Sequence, residues 1–182
     1  MRKHRIATFM CSALGLFGAS GIAIADPVVR YECNILGTPS QDPVGDREGH
    51  NLVSFQYSCF GVDGLMKGAV ATSVSVTEWD GPKGKNLSSV GVHRLPGGLA
   101  SAQLIEGTSS VVMRDGKPAG SESSGKIVIK LASGTLSAIS GKTLNFTVKP
   151  LGPNRFELDW TESLMALRRC SEDRRSVCGL RF

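Results

Sequence analysis

Two stretches decide the fold: Thr143-Leu144-Asn145-Phe146-Thr147-Val148-Lys149 and Arg155-Phe156-Glu157-Leu158-Asp159-Trp160-Thr161. In each, every second side chain is apolar and its neighbours are polar or charged. That period of two marks strands with one dry face and one wet face. Together with Lys126 to Leu131 they read as strand, tight loop, strand, turn, strand between Ser123 and Trp160.

Working outward, the same period recurs. Val28 to Tyr31 reads as a first strand, and Leu52 to Phe60 alternates Val53, Phe55, Tyr57 and Cys59 with Ser54, Gln56 and Ser58. Lys67 to Trp79 sets Val70, Val74 and Val76 against Ala69, Ala71, Ser73 and Ser75, and that small-residue face suggests close backbone approach or a cavity wall. Leu87 to Leu95, Leu99 to Glu106 and Ser109 to Arg114 complete nine strand candidates. Gly37 to His50 reads as a loop from its Pro, Asp and Gly content, Gly61 to Gly64 and Asp80 to Gly84 as turns, and Asp115-Gly116 as a hairpin turn. Only Glu162 to Arg169 has helical spacing. The expectation is an all-β single antiparallel barrel of about eight strands, with a short C-terminal helix or tail. Closure removes the sheet edges that such a protein must otherwise blunt.

The ends set the compartment. Arg2, Lys3 and Arg5 precede an apolar run from Ile6 to Ile24 that closes with Ala23-Ile24-Ala25, the pattern of a cleaved signal peptide over residues 1–25. Polar and glycine residues interrupt the run, which argues against a membrane anchor. The expected domain order is signal peptide 1–25, barrel 26–162 and a basic, cysteine-containing tail 163–182, and the expected location is periplasmic or secreted. Three of the 21 basic residues and none of the 16 acidic ones fall in the leader, so the net charge drops from +5 to +2 on cleavage. A near-neutral body argues against a nucleic-acid groove.

Cys33, Cys59, Cys170 and Cys178 remain after export, an even number that reads as two disulfides. Three connectivities are possible; Cys33 with Cys59 and Cys170 with Cys178 is the favoured one. No C-x-x-C pair occurs, so no metal site is expected. The loop acids Asp42, Asp46 and Glu48 lack the spacing of a calcium-binding loop.

The runs Thr77-Glu78-Trp79-Asp80-Gly81-Pro82, Leu104-Ile105-Glu106-Gly107-Thr108, Ser123-Ser124-Gly125-Lys126 and Leu131-Ala132-Ser133-Gly134 carry a resemblance. They resemble small uncharacterised exported bacterial proteins, and their glycine-punctuated meander is similar to the barrel of allene oxide cyclases and dirigent proteins over Gly49 to Trp160. The resemblance implies a barrel fold and, as an alternative function, a cofactor-free cyclase or isomerase working in the barrel cavity. It assigns no catalytic residue in this chain.

No nucleophile elbow or metal motif stands out, and no cofactor is expected. His50 sits in the acidic loop and His93 in a strand; both read first as structural residues. Glu78, Glu106, Glu157 and Asp159 lie in strands and form an acid–base pair only if two of them face each other across the barrel mouth. Phe55, Tyr57, Trp79, Phe146, Phe156 and Trp160 fill the core or line a cavity, and small barrels are usually filled. If the barrel is hollow, Tyr57, Trp79, His93, Phe146 and Trp160 are the ligand-binding candidates, for a small apolar ligand. Arg168, Arg169, Arg174 and Arg175 in the tail are candidates for docking on an acidic macromolecule or anionic surface. The functional expectation is a binding or accessory protein, with enzyme as the second choice. The Asn86-Leu87-Ser88 and Asn145-Phe146-Thr147 glycosylation patterns read as incidental.

Overall fold

Alternation lets many strands turn their odd or even side chains toward one shared interior, and here it closes a sheet upon itself. In a computed structural model, which describes residues 27–162, eight antiparallel strands form a closed barrel. They are β1 (Pro27–Pro43), β2 (His50–Gly64), β3 (Val70–Asp80), β4 (Lys83–Leu95), β5 (Gly98–Arg114), β6 (Lys117–Gly134), β7 (Thr143–Gly152) and β8 (Arg155–Glu162). Each pairs with its neighbour in sequence. β8 returns to β1 through Val29↔Trp160, Tyr31↔Leu158 and Cys33↔Phe156, so the first and last strands close the sheet.

The strands run longer than their sequence pattern suggests. β1 bends at Gly37, whose φ of 71° only glycine adopts freely, and then pairs again through Ser40↔Ser54 to Pro43↔Asn51. The expected loop over 37–50 therefore shrinks to residues 44–49. Leu99–Glu106 and Ser109–Arg114 are one strand, because Gly107 stays in the ladder opposite Gly125. That reduces nine candidates to eight strands. Asp115 and Gly116, at φ of 50° and 73°, form the expected hairpin turn. Glu162 ends β8; the expected helix beyond it, the Cys170–Cys178 pairing and the signal peptide lie outside the described residues.

The two barrel ends differ. At one, the link between β2 and β3 drops Met66 into the interior, and a short 3-10 helix (Ser137–Ile139) between β6 and β7 brings in Leu136 and Ile139. They pack with Val29, Tyr31, Ile129 and Leu144 into a core that closes this end. The other end carries residues 44–49 and the turns at Gly81–Pro82, Asp115–Gly116 and Pro153–Asn154, and among the described residues no comparable plug.

Two features brace the wall. Cys33 and Cys59, directly opposed on β1 and β2, form a buried disulfide. Across the barrel, Phe146 lies over the cross-strand pair Gly107 and Gly125: a Cβ on Gly125 would come within 2.8 Å of its Cε1, and one on Gly107 within 2.9 Å of its Cζ. These glycines are needed for space, not for backbone conformation. Gly125→Ala would also press on the Glu106 carbonyl, which cannot swing away as a side chain can, so denaturant unfolding should show a loss of about 2 to 3 kcal/mol. Removing the disulfide, whose cysteines stand 26 residues apart, should cost about 3 kcal/mol in the same assay, read as the difference between wild type and the Cys33→Ala/Cys59→Ala double variant.

Candidate ligand cavity

The plugged end fills only part of the interior, because its loop-borne side chains do not reach beyond it and the inward positions of β3 stay small. On β3 the inward residues run Ala71, Ser73, Ser75 and Thr77, while Val70 and Val74 point outward and are exposed. What remains inside is a cavity of about 720 Å³, within the range of small-molecule sites.

Its walls divide by strand. β1, β2, β7 and β8, contiguous around the closure, present Ile35, Phe55, Tyr57, Val148, Phe156 and Leu158. Tyr57 meets Phe156 edge to face at 5.3 Å and Phe55 at 5.7 Å. The opposite wall, β3 to β6, presents Ser73, Ser75, Thr77, Asn86, Ser109 and Ser123. Asn86 Oδ1 accepts from Ser109 Oγ at 2.6 Å and from Thr77 Oγ1 at 3.3 Å, and Ser109 Oγ lies 2.7 Å from Ser123 Oγ. One half of the cavity is apolar and largely aromatic, and the other sets these hydroxyls among Trp79, Leu104 and Ile127.

Tyr31, His93 and Trp160 form the floor. Tyr31 Oη lies 2.9 Å from His93 Nδ1, and Trp160 stands edge-on to both rings, with centroids 5.7 Å from Tyr31 and 4.6 Å from His93. Burial, helped by the charge of Arg94, pushes the His93 pKa down to about 4, so the imidazole is neutral at ordinary pH. Burial also raises the Tyr31 phenol well above its usual range. Met66 Sδ, 3.8 Å from Tyr31 Oη, is a poorer acceptor than an imidazole nitrogen. We therefore assign the phenol as the donor to Nδ1, which places the imidazole proton on Nε2.

All five sequence-derived ligand candidates line this cavity: His93 and Trp160 at the floor, Phe146 and Tyr57 on the walls, and Trp79 toward the mouth, its indole against Gly84. The hydroxyl network has no sequence motif of its own; the small-residue face of β3 suggests only close backbone approach or a cavity wall. Tyr31 was visible only as part of a first strand. The strand carboxylates lie elsewhere. Glu106 pairs with Lys126 at 2.7 Å, Asp159 and Glu157 flank Arg30 at 2.9 and 3.6 Å, and Glu78 bonds His50, so no acid–base pair spans the mouth. Arg114 and Arg155 stand at the mouth, and among the described residues no Asp or Glu lines the cavity. Arg168, Arg169, Arg174 and Arg175 lie outside the described residues. Comparison with known proteins finds no matching family model, no similar curated protein and no similar solved structure. What the resemblance to the cyclase and dirigent barrels retains is the closed eight-stranded antiparallel architecture.

On the outer wall at the mouth, His50 clips the 44–49 link to β3. Its Nδ1 is 2.5 Å from Asp46 and its Nε2 is 2.9 Å from Glu78, while Arg47 reaches Asp80 at 2.7 Å. The hydrogen bond to Asp46, then that to Glu78, raises the His50 pKa above 6.5; its own partners cover the ring, and desolvation only partly opposes them. A group raised in this way stabilises the fold fully below its unfolded pKa of about 6.5 and loses that contribution as pH rises through its folded value. Thermal unfolding of wild type minus His50→Gln should thus show a stabilising difference at pH 5.5 that fades toward pH 9. A difference independent of pH would show that the imidazolium does not hold the link.

Proposed function

We propose that the protein is an exported binding protein that holds a small, largely apolar ligand inside its barrel. The observation that carries the reading is the cavity of about 720 Å³, walled by aromatics on one side and hydroxyls on the other. Such a lining suits an apolar body with a few oxygen substituents along one edge. With Arg114 and Arg155 at the mouth and no acid on the described walls, neutral or anionic molecules are favoured over amines. The same absence of a wall carboxylate, beside a weakly basic His93, favours binding over proton-transfer chemistry. The Cys33–Cys59 disulfide supports an oxidising compartment.

Both tryptophans of the chain, Trp79 and Trp160, line the cavity, so an occupant should change intrinsic fluorescence. N-phenyl-1-naphthylamine, an apolar fluorophore of very weak basicity, should bind with micromolar affinity and quench both. Ser75→Leu, which places a bulky side chain into the void from a wall position, should weaken that binding at least tenfold without lowering the melting temperature. Undiminished binding by this variant would locate the probe elsewhere on the protein and count against a cavity ligand.

A further inference from the structure

At the floor of the cavity two polar groups have no partner among the described residues. His93, 2% exposed, uses Nδ1 toward Tyr31, and its Nε2 makes no hydrogen bond within the described residues. Ser73, 8% exposed and beside it on β3, makes none through its hydroxyl. Among the described residues no sealed side-chain nitrogen or oxygen lacks a partner, so both groups open to the cavity that they line. Both also adjoin Gly91, paired with Ser73 across β3 and β4: a Cβ there would overlap Ser73 Oγ and come within 3.2 Å of His93 Nε2. Glycine keeps this corner clear.

We propose that Ser73 Oγ and His93 Nε2 form a two-donor subsite for a carbonyl oxygen at the buried end of the ligand, a proposal that rests on the cavity being a ligand site. The tautomer supports it. With the phenol assigned as donor to Nδ1 across their 2.9 Å contact, the imidazole proton lies on Nε2. An uncharged ring then presents an N–H in a low-dielectric corner lined by Trp160, where a ketone, aldehyde or ester oxygen can accept from it while the apolar remainder of the molecule extends toward the mouth. A hydrocarbon of the same shape leaves two donors unpaired, and leaving buried polar groups unmade costs more than making them gains.

Benzophenone and diphenylmethane differ at the bridging carbon, a carbonyl in one and a methylene in the other, and provide the test on the intact mature protein. Benzophenone should bind about tenfold tighter by tryptophan fluorescence, and the carbonyl stretch of the bound ketone should lie below its value in hexane. Ser73→Ala should reduce the preference a few-fold. His93→Phe should abolish the preference and the infrared shift while diphenylmethane binding persists. The infrared measurement on wild type requires no variant, so a His93→Phe protein that fails to fold leaves the test intact. Equal affinity of wild type for the two probes, with the carbonyl band of the bound ketone at its hexane position, overturns the subsite and leaves the cavity reading standing. Failure of both probes to bind, with N-phenyl-1-naphthylamine also excluded, overturns both.

Discussion

Closure of β1 onto β8 is the constraint on which the rest depends. Once Val29, Tyr31 and Cys33 pair with Trp160, Leu158 and Phe156, the circumference is set by eight strands, and the interior has a size that side chains must either fill or leave open. Closure also pairs the backbone groups that β1 and β8 would otherwise expose along these residues. The disulfide acts within this frame. It ties β1 to β2 beside the closure, on the strand that carries both seams.

With the circumference fixed, volume becomes a matter of which residues face inward at each level. Near one end the alanines of β3 and β5 leave room for plugs from two loops, Met66 on one and Leu136 with Ile139 on the other, and dispersion holds the set densely. Farther along, β3 to β6 supply serines, a threonine and an asparagine, which cannot span the same diameter. Phe146 sits at the transition, seated against Gly107 and Gly125 because two missing side chains leave room for its ring. The cavity is thus a consequence of which side chains face inward at each level of the closed sheet.

The fold was legible because alternation on β7 and β8 is strict and turn residues such as Asp115-Gly116 mark the hairpins. Strand lengths were less so: Gly37 and Gly107 look like breaks in sequence but serve as a bend and a close approach inside strands. The aromatic cavity residues could be read as candidates from type alone. Whether the barrel was filled could not, since that depends on which residues meet across the barrel rather than along a strand. β3 shows why. Its valines face solvent and its serines face inward, an inversion that makes physical sense only once the interior is known to be a polar-walled void. The partnership of Tyr31 with His93 was equally hidden, because 62 residues separate them and only register brings them together.

That partnership gives the floor its chemistry. A buried histidine without a fixed partner could hold its proton on either nitrogen, and the cavity would then meet a donor or an acceptor interchangeably. Tyr31, assigned as the donor to Nδ1, would resolve this, and Trp160 stands edge-on to both rings. The result is a donor of fixed identity in a corner kept clear by Gly91. Selectivity built this way is asymmetric. An apolar wall discriminates weakly between molecules of similar shape, whereas a buried donor penalises every occupant that cannot accept from it. The aromatic half of the barrel would therefore set how tightly a ligand is held, and the floor would set which ligand it is.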